Sequence, residues 1–450
     1  MAKKSAARYV CENCGAVSSA WAGRCATCGE WNSLNEEINL TISKSGASGQ
    51  ALKSEDVTSL ASKKLERLKT DIQDVDNVLG GGLVPGSVTL LAGQPGIGKS
   101  TLLLQLAYAA AGKAATLYVS GEESAQQVSM RAKRLGANRS SLQLASSNSA
   151  DDVALTILKD NYKLVIVDSV QTLTCNDLNS PAGSVSQISG STQLIMAAAK
   201  QTNTAVILVG HVTKEGMIAG PKVLEHVVDV VLQLEGETSS GFKVLRSSKN
   251  RFGSTNEAGI FEMTESGLQT VVNPSAALLA ERQVCDGSIV LATLEGNRPV
   301  LVEVQALVNK TSYGYPKRAA SGMDLNRVNL LVAMLERRTK LNLSDKDIYI
   351  NIVGGLRLSE PAADLAVCLA IGSAAKGLQL KANAVVFGEV GLSGEVRRVP
   401  FVEKRLNEAK KLGFDSAIGP TDRSNSGKKS TMLKSVPDVR TALNQFLEKD

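Results

Sequence analysis

Eight consecutive residues, Gly93-Gln94-Pro95-Gly96-Ile97-Gly98-Lys99-Ser100, satisfy the phosphate-loop pattern G-x-x-x-x-G-K-S at every fixed position. Their types define a chemistry. Glycines let successive backbone N–H groups close around phosphate oxygens, a lysine brings a mobile cation to the β- and γ-phosphates, and a serine hydroxyl is a hard ligand for Mg²⁺. Gly93, Gln94, Pro95, Gly96, Ile97, Gly98, Lys99, Ser100 and Thr101 are therefore the candidate contacts to a nucleoside triphosphate such as ATP. The flanks agree: Ser87-Val88-Thr89-Leu90-Leu91 is an apolar run of strand length, and Thr101 to Ala107 is rich in helix formers. A strand, a glycine loop and a helix N-terminus form the context in which the motif grips an anion.

Other stretches supply what such a site lacks. Lys163-Leu164-Val165-Ile166-Val167-Asp168 reads as a buried strand ending in a carboxylate, the Walker-B pattern, so Asp168 joins Ser100 as a candidate magnesium ligand. A helix-capping role is the alternative for Asp168. Glu122 and Glu123 follow the strand Thr116–Ser120, and either could orient and deprotonate an attacking water. Sequence does not set which carboxylate points inward; Glu122 is preferred. His211, in Gly210-His211-Val212-Thr213-Lys214, reads equally as a γ-phosphate sensor and as a structural histidine. Lys249-Asn250-Arg251-Phe252-Gly253 is a basic loop. On composition alone it is a solvated turn, but in a ring ATPase Lys249 and Arg251 could neutralise charge on a neighbour's γ-phosphate.

Four of the seven cysteines crowd into one short stretch, as Cys11-x-x-Cys14 and Cys25-x-x-Cys28, each pair followed by a glycine. Paired knuckles of this spacing fit tetrahedral Zn²⁺, with disulfides or a redox pair as the alternatives. The only two tryptophans, Trp21 and Trp31, lie beside the knuckles and are expected to cover the metal core. Cys175, Cys285 and Cys368 stand alone and read as ordinary thiols.

These residues need scaffolds to bring them together. A chain of 450 residues implies two or three domains. No apolar run reaches the roughly 18 residues of a membrane span, and no apolar segment follows Lys3, Lys4 and Arg8 to make a secretory leader. A cytoplasmic protein without a membrane partner is the default. The net charge of +6 permits a polyanionic partner without requiring one. Residues 1–34 form the four-cysteine module, and 35–64, rich in Ser, Lys and Gly, read as a flexible linker. From 65 to 273, strands alternate with helices, predicting a parallel sheet covered on both faces with its site at the strands' carboxyl ends. Residues 274–450 switch to an α+β pattern, with strands at Ser288–Ala292, Pro299–Val304 and Ile348–Val353 and a helix over Asn326–Arg338. Within 301–340, Lys310, Lys317, Arg318, Arg327, Arg337, Arg338 and Lys340 outnumber Glu303, Asp324 and Glu336, and Tyr313 and Tyr315 interleave with them. That mixture suits phosphate contact and base stacking as well as it suits a solvated face.

The order of these motifs resembles the bacterial RadA (Sms) DNA-repair ATPases, relatives of RecA and of DnaB-type hexameric helicases. The likeness runs through Leu79-Gly80-Gly81-Gly82-Leu83-Val84-Pro85-Gly86-Ser87, Val119-Ser120-Gly121-Glu122-Glu123-Ser124, Asp168-Ser169-Val170-Gln171-Thr172 and the pentapeptide at 249–253, across nearly the whole chain. It implies an α/β, RecA-like P-loop NTPase core preceded by the zinc module and followed by a Lon-protease-like α+β domain. It also implies a homo-oligomer, a hexameric ring, that binds single-stranded and branched DNA, works with the RecA recombinase and couples ATP to DNA through Lys249 and Arg251. Lon-type proteolysis needs a serine nucleophile and a lysine base. Here Ala362 stands at the nucleophile's place, and Glu403, with Lys404 one residue on, at the lysine's. Without a hydroxyl at 362 the dyad cannot form, so this domain is expected to be proteolytically inactive. The expected function is a DNA-dependent ATPase motor for branch migration or heteroduplex extension. An ATP-dependent protease, a nucleotide-gated DNA-binding platform and a strand-exchange recombinase are the rivals.

Overall fold

The computed structural model describes residues 8–11, 16–18, 20–37, 66–137, 139–211, 223–236, 241–312, 314–380, 383–421 and 431–448. They divide into two compact units, Met1–Gln233 with Ser247–Ser254, and Leu234–Arg246 with Thr255–Asp450. The predicted parallel-sheet core, four-cysteine module and α+β C-terminal part are all present as folded elements. Among the described residues no helix is long and apolar enough to cross a membrane.

At the front of the first unit, β1 (Arg8–Cys11) lies between β2 (Val17–Ser18) and β3 (Leu34–Glu37) in a small antiparallel sheet. The main sheet follows. β4 (Val88–Gly93), β5 (Thr116–Ser120), β6 (Leu142–Ser146), β7 (Leu164–Asp168) and β8 (Ala205–His211) are parallel in the order β4-β8-β7-β5-β6, with β9 (Val230–Glu235) beside β4. β4 and β5 are buried along their whole length, as strands covered on both faces must be. Apolar side chains of β4, β7 and β8, among them Leu90, Val165, Val167 and Leu208, share a core with Ile188 and Ile195 of the helix Val185–Thr202. Sequence pattern did not reveal β6. It is the edge strand, half-exposed and lacking a β-branched run, so neither burial nor propensity marked it.

Phe242–Asn250, Ala258–Thr264 and Gly267–Thr270 make an antiparallel meander, of which the residues up to Arg246 and from Thr255 onward belong to the second unit. Its Val244, Ala258, Ile260 and Val271 share one core with Ile289, Val302 and Leu331 further on. Residues 255–273 fall within the second compact unit. A seven-stranded sheet, with Arg298–Lys310 and Ser288–Glu295 as its long central hairpin, carries the rest. The helix read at Asn326–Arg338 runs over Leu325–Thr339, and the strand read at Ile348–Val353 over Lys346–Ile352.

Ala362 sits fully buried in a short 3₁₀ turn, Pro361–Ala363, its carbonyl accepting from Gly388 N at 2.8 Å. An ion pair joins this turn to the helix Val402–Lys411. The Arg405 guanidinium, wholly buried, pairs with Glu360 and donates to the carbonyls of Ala292 at 2.6 Å and Pro400 at 3.3 Å. Glu360 also accepts from Thr293 Oγ1 and Leu294 N, both at 3.1 Å. Lys404 points elsewhere, its Nζ 3.4 Å from the Asn297 carbonyl. Removing one member of such a pair strands the other charge in the core. Glu360→Ala should therefore lower the unfolding free energy by roughly 3–5 kcal/mol, read from urea denaturation of the intact chain.

Candidate functional site

Parallel register assembles the site. Ser120 at the end of β5 pairs with Asp168 at the end of β7, and Gly93 at the end of β4 pairs with His211 at the end of β8. The phosphate loop, the Glu122 turn and Asp168 consequently leave the sheet along one carboxyl edge, the edge at which α/β proteins hold ligands. The backbone of His211 reaches that edge; its side chain lies outside the described residues.

Within the loop, Gly96 (φ 77°) and Gly98 (φ 113°) take left-handed conformations, and Gly98 opens the helix Lys99–Ala111. Ile97 is buried and pins the turn from below, while Ser100 and Thr101 are half-buried in the first helical turn. Lys99 is folded back over its own loop, its Nζ donating to Gly93 O at 2.8 Å and Gln94 O at 3.0 Å. Burial draws the lysine's pKa down, and the charges of Asp168 and Glu122 push it back up. Both carboxylates thus act on the cation that would meet the phosphates.

The two carboxylates are held separately. Tyr118 OH donates to Asp168 Oδ2 at 2.6 Å. Ser169 Oγ donates to Glu122 Oε1 at 2.8 Å. Glu123 is committed elsewhere, to an ion pair with Arg131, while its N–H donates to Ser120 Oγ at 2.9 Å. Of the two glutamates left open by sequence, Glu122 is the one tied to the end of the Walker-B strand.

The pentapeptide Lys249–Gly253 lies at the other end of β4. Lys249 Nζ caps the short helix Val223–Val227 through the carbonyls of Glu225, His226 and Val228 at 2.7, 3.1 and 2.7 Å. Burial, with Arg251 nearby, lowers its pKa. Arg251 Nη1 donates to Asp229 Oδ1 at 3.1 Å and is half exposed. Asp229 in turn accepts from Val88 N at 3.0 Å through Oδ2. Val88 and Gly93 are five positions apart, about 16 Å of strand, so the Asp229 anchor of Arg251 and the phosphate loop lie at opposite ends of β4. Arg67 and Asn250 stitch this turn to the glycine-rich segment before β4. Arg67 donates to Leu79 O at 3.1 Å and Phe252 O at 2.7 Å, and Asn250 Nδ2 to Leu79 O at 3.3 Å.

In the N-terminal module the sulfurs of Cys11, Cys25 and Cys28 lie within 4.8 Å of one another. Cys14 falls outside the described residues. Backbone N–H groups of Cys28 and Thr27 favour the Cys25 thiolate and lower its pKa. Gly29, at φ 76°, makes the turn around the knuckle. Three convergent thiols, one already biased to its anion, fit a soft-ligand metal such as Zn²⁺. The tryptophans do not cover this core. Trp21 and Trp31 are 59% and 68% exposed, and Leu34 packs on the cysteines instead.

Comparison with known proteins agrees with each part. A rubredoxin metal-binding domain model matches residues 9–36, an AAA domain model 55–217, and a model of subunit ChlI of Mg-chelatase 314–423. DNA repair protein RadA of Bacillus subtilis is 46% identical over 428 residues, covering 93% of each chain. That of Listeria monocytogenes is 44% identical over 455 residues, covering 99% of this chain and all of the relative. The chain belongs to the RadA family. RadA of Aquifex aeolicus, at 46% identity over 93% of this chain, is as similar. The crystal structure of the RadB recombinase matches 45% of this chain at 25% identity with a TM-score of 0.37, too slight a likeness to build on.

In this RadA-family chain, sequence reading missed Tyr118, Asp229 and Arg67, which hold candidate groups without belonging to a motif. Asp229 alone carried a signal, a carboxylate inside the apolar run Val227–Val231. Cys25→Ser should strip zinc from the purified chain, read as metal content by atomic emission, while the melting of the larger unfolding unit stays in place.

Proposed function

We propose that this chain is a DNA-stimulated ATP hydrolase of recombinational repair, acting in the cytoplasm as a ring of identical subunits. One observation carries the reading. Lys99, Asp168 and Glu122 share one edge of the sheet, whereas Arg251 is anchored at the opposite end of the same strand. In a ring, the neighbouring copy would bring its own Arg251 to that edge.

In this reading the loop Gly93–Thr101 wraps the β- and γ-phosphates, and Lys99 exchanges its two carbonyl partners for phosphate oxygens. Ser100 and Asp168 offer hydroxyl and carboxylate oxygens, the hard donors that suit Mg²⁺ and would hold it there. When bound, that ion supplies charge neutralisation on the phosphates. Glu122 takes a proton from water onto its carboxylate as the water oxygen attacks the γ-phosphorus and ADP leaves. Arg251 of the adjoining copy neutralises charge developing on the transferred group, and Lys249 keeps the arginine turn braced. A hexamer, as the family resemblance suggests, closes such contacts into a ring.

DNA is the partner the chemistry favours. Tyr315 is 87% exposed, and Lys310, Lys317, Arg337, Arg338 and Lys340 are exposed on the same stretch of chain, a composition that suits single-stranded or branched DNA. Arg327 does not join them, because its guanidinium is bound to the buried Asp364; Tyr313 falls outside the described residues. Branch migration with RecA follows if hydrolysis moves the ring along DNA. Ala362 and the Glu360–Arg405 pair weigh against the protease reading.

Lys99→Ala and Arg251→Ala should each lower DNA-stimulated phosphate release about a thousandfold or more. A one-to-one mixture of the two variants should regain up to about a quarter of the wild-type rate, the share of interfaces that unite an intact Lys99 with a neighbour's intact Arg251. A mixture as inactive as its components overturns the shared site. A wild-type rate indifferent to single-stranded DNA overturns the motor in favour of a nucleotide-gated platform.

A further inference from the structure

The Tyr118 hydroxyl belongs to no motif. It sits on β5, one strand away from Asp168, in a side chain only 1% exposed. A phenol buried among strands must find a partner for its proton, and the partner here is Asp168 Oδ2 at 2.6 Å. The phenol O–H is the donor and the carboxylate oxygen the acceptor in such a contact. The hydrogen bond therefore has one direction: tyrosine donates, carboxylate accepts. It occupies one oxygen of Asp168 and leaves Oδ1 as the oxygen for a cation. It also stops rotation about the carboxylate's terminal bond, which is otherwise broad and roughly two-fold.

We propose that Tyr118 is a positioning residue for magnesium, presetting the carboxylate of Asp168 so that one oxygen is presented to the Mg²⁺ of a bound nucleotide. The inference rests on the ATP-hydrolase reading above. Ser169 plays the matching part for the other acid, since its Oγ is bonded to Glu122 Oε1 at 2.8 Å. Adjacent positions, 168 and 169, thus bring the metal carboxylate and the water-activating carboxylate under separate control. Groups that hydrogen-bond to a metal ligand typically matter about 10–100-fold in metal affinity or activity.

The test uses the full-length chain and a fluorescent, non-hydrolysable ATP analogue, titrated with Mg²⁺ and also measured in EDTA. Tyr118→Phe removes the hydroxyl and keeps the ring that fills the core. It should raise the Mg²⁺ concentration for half-maximal nucleotide binding about tenfold, with affinity in EDTA unchanged. Ser169→Ala should leave that Mg²⁺ midpoint where it is and lower kcat. A purely structural tyrosine would shift the melting temperature and leave the Mg²⁺ midpoint within twofold of wild type, and that result, or a fall in the midpoint, overturns the proposal. Wild-type binding that ignores Mg²⁺ altogether would instead remove the hydrolase reading beneath it.

Discussion

The constraint on which this molecule rests is the in-register pairing of parallel strands, Ser120 against Asp168 and Gly93 against His211. Side chains alternate along a strand, so a slip of a single residue would turn Asp168 to the opposite face and separate it from Lys99. The register is held by burial. Leu90, Val165, Val167 and Leu208 are all excluded from water and packed in one core with Ile188 and Ile195, and a slip would turn them away from those partners. Chemistry at the edge of the sheet is thus fixed by hydrophobic contacts in its middle.

Much of this was legible beforehand because it is encoded locally. A phosphate loop needs its glycines at fixed offsets, a buried strand needs consecutive apolar residues, and both survive without knowledge of the fold. Contacts distant in sequence were not legible. Tyr118 finds Asp168 fifty positions on, and Arg67 finds Phe252 across 185. The edge strand Leu142–Ser146 escaped because its half-exposed residues follow no strong pattern. The exposure of Trp21 and Trp31 escaped for a different reason. Among the described residues the module's buried core is Cys11, Cys25 and Leu34, too little interior to enclose an indole.

The C-terminal unit is closed around Ala362 and one buried ion pair. Ala362 is fully buried, and the neighbouring Glu360 and Arg405 form a pair cut off from solvent on the arginine side. Buried pairs of this kind specify how elements join more than they stabilise the whole.

Gly80 and Gly253 lie back to back, so close that a methyl on the first would come within 3.2 Å of the Cα of the second. With Arg67 clasping Leu79 and Phe252 together, the glycine-rich turn and the arginine turn cannot move apart. They form a single stiff corner in which the segment leading into the nucleotide-gripping strand and the guanidinium on the outside are one mechanical part. A displacement of either turn would have to break, or carry along, the Arg67 clasp it shares with the other.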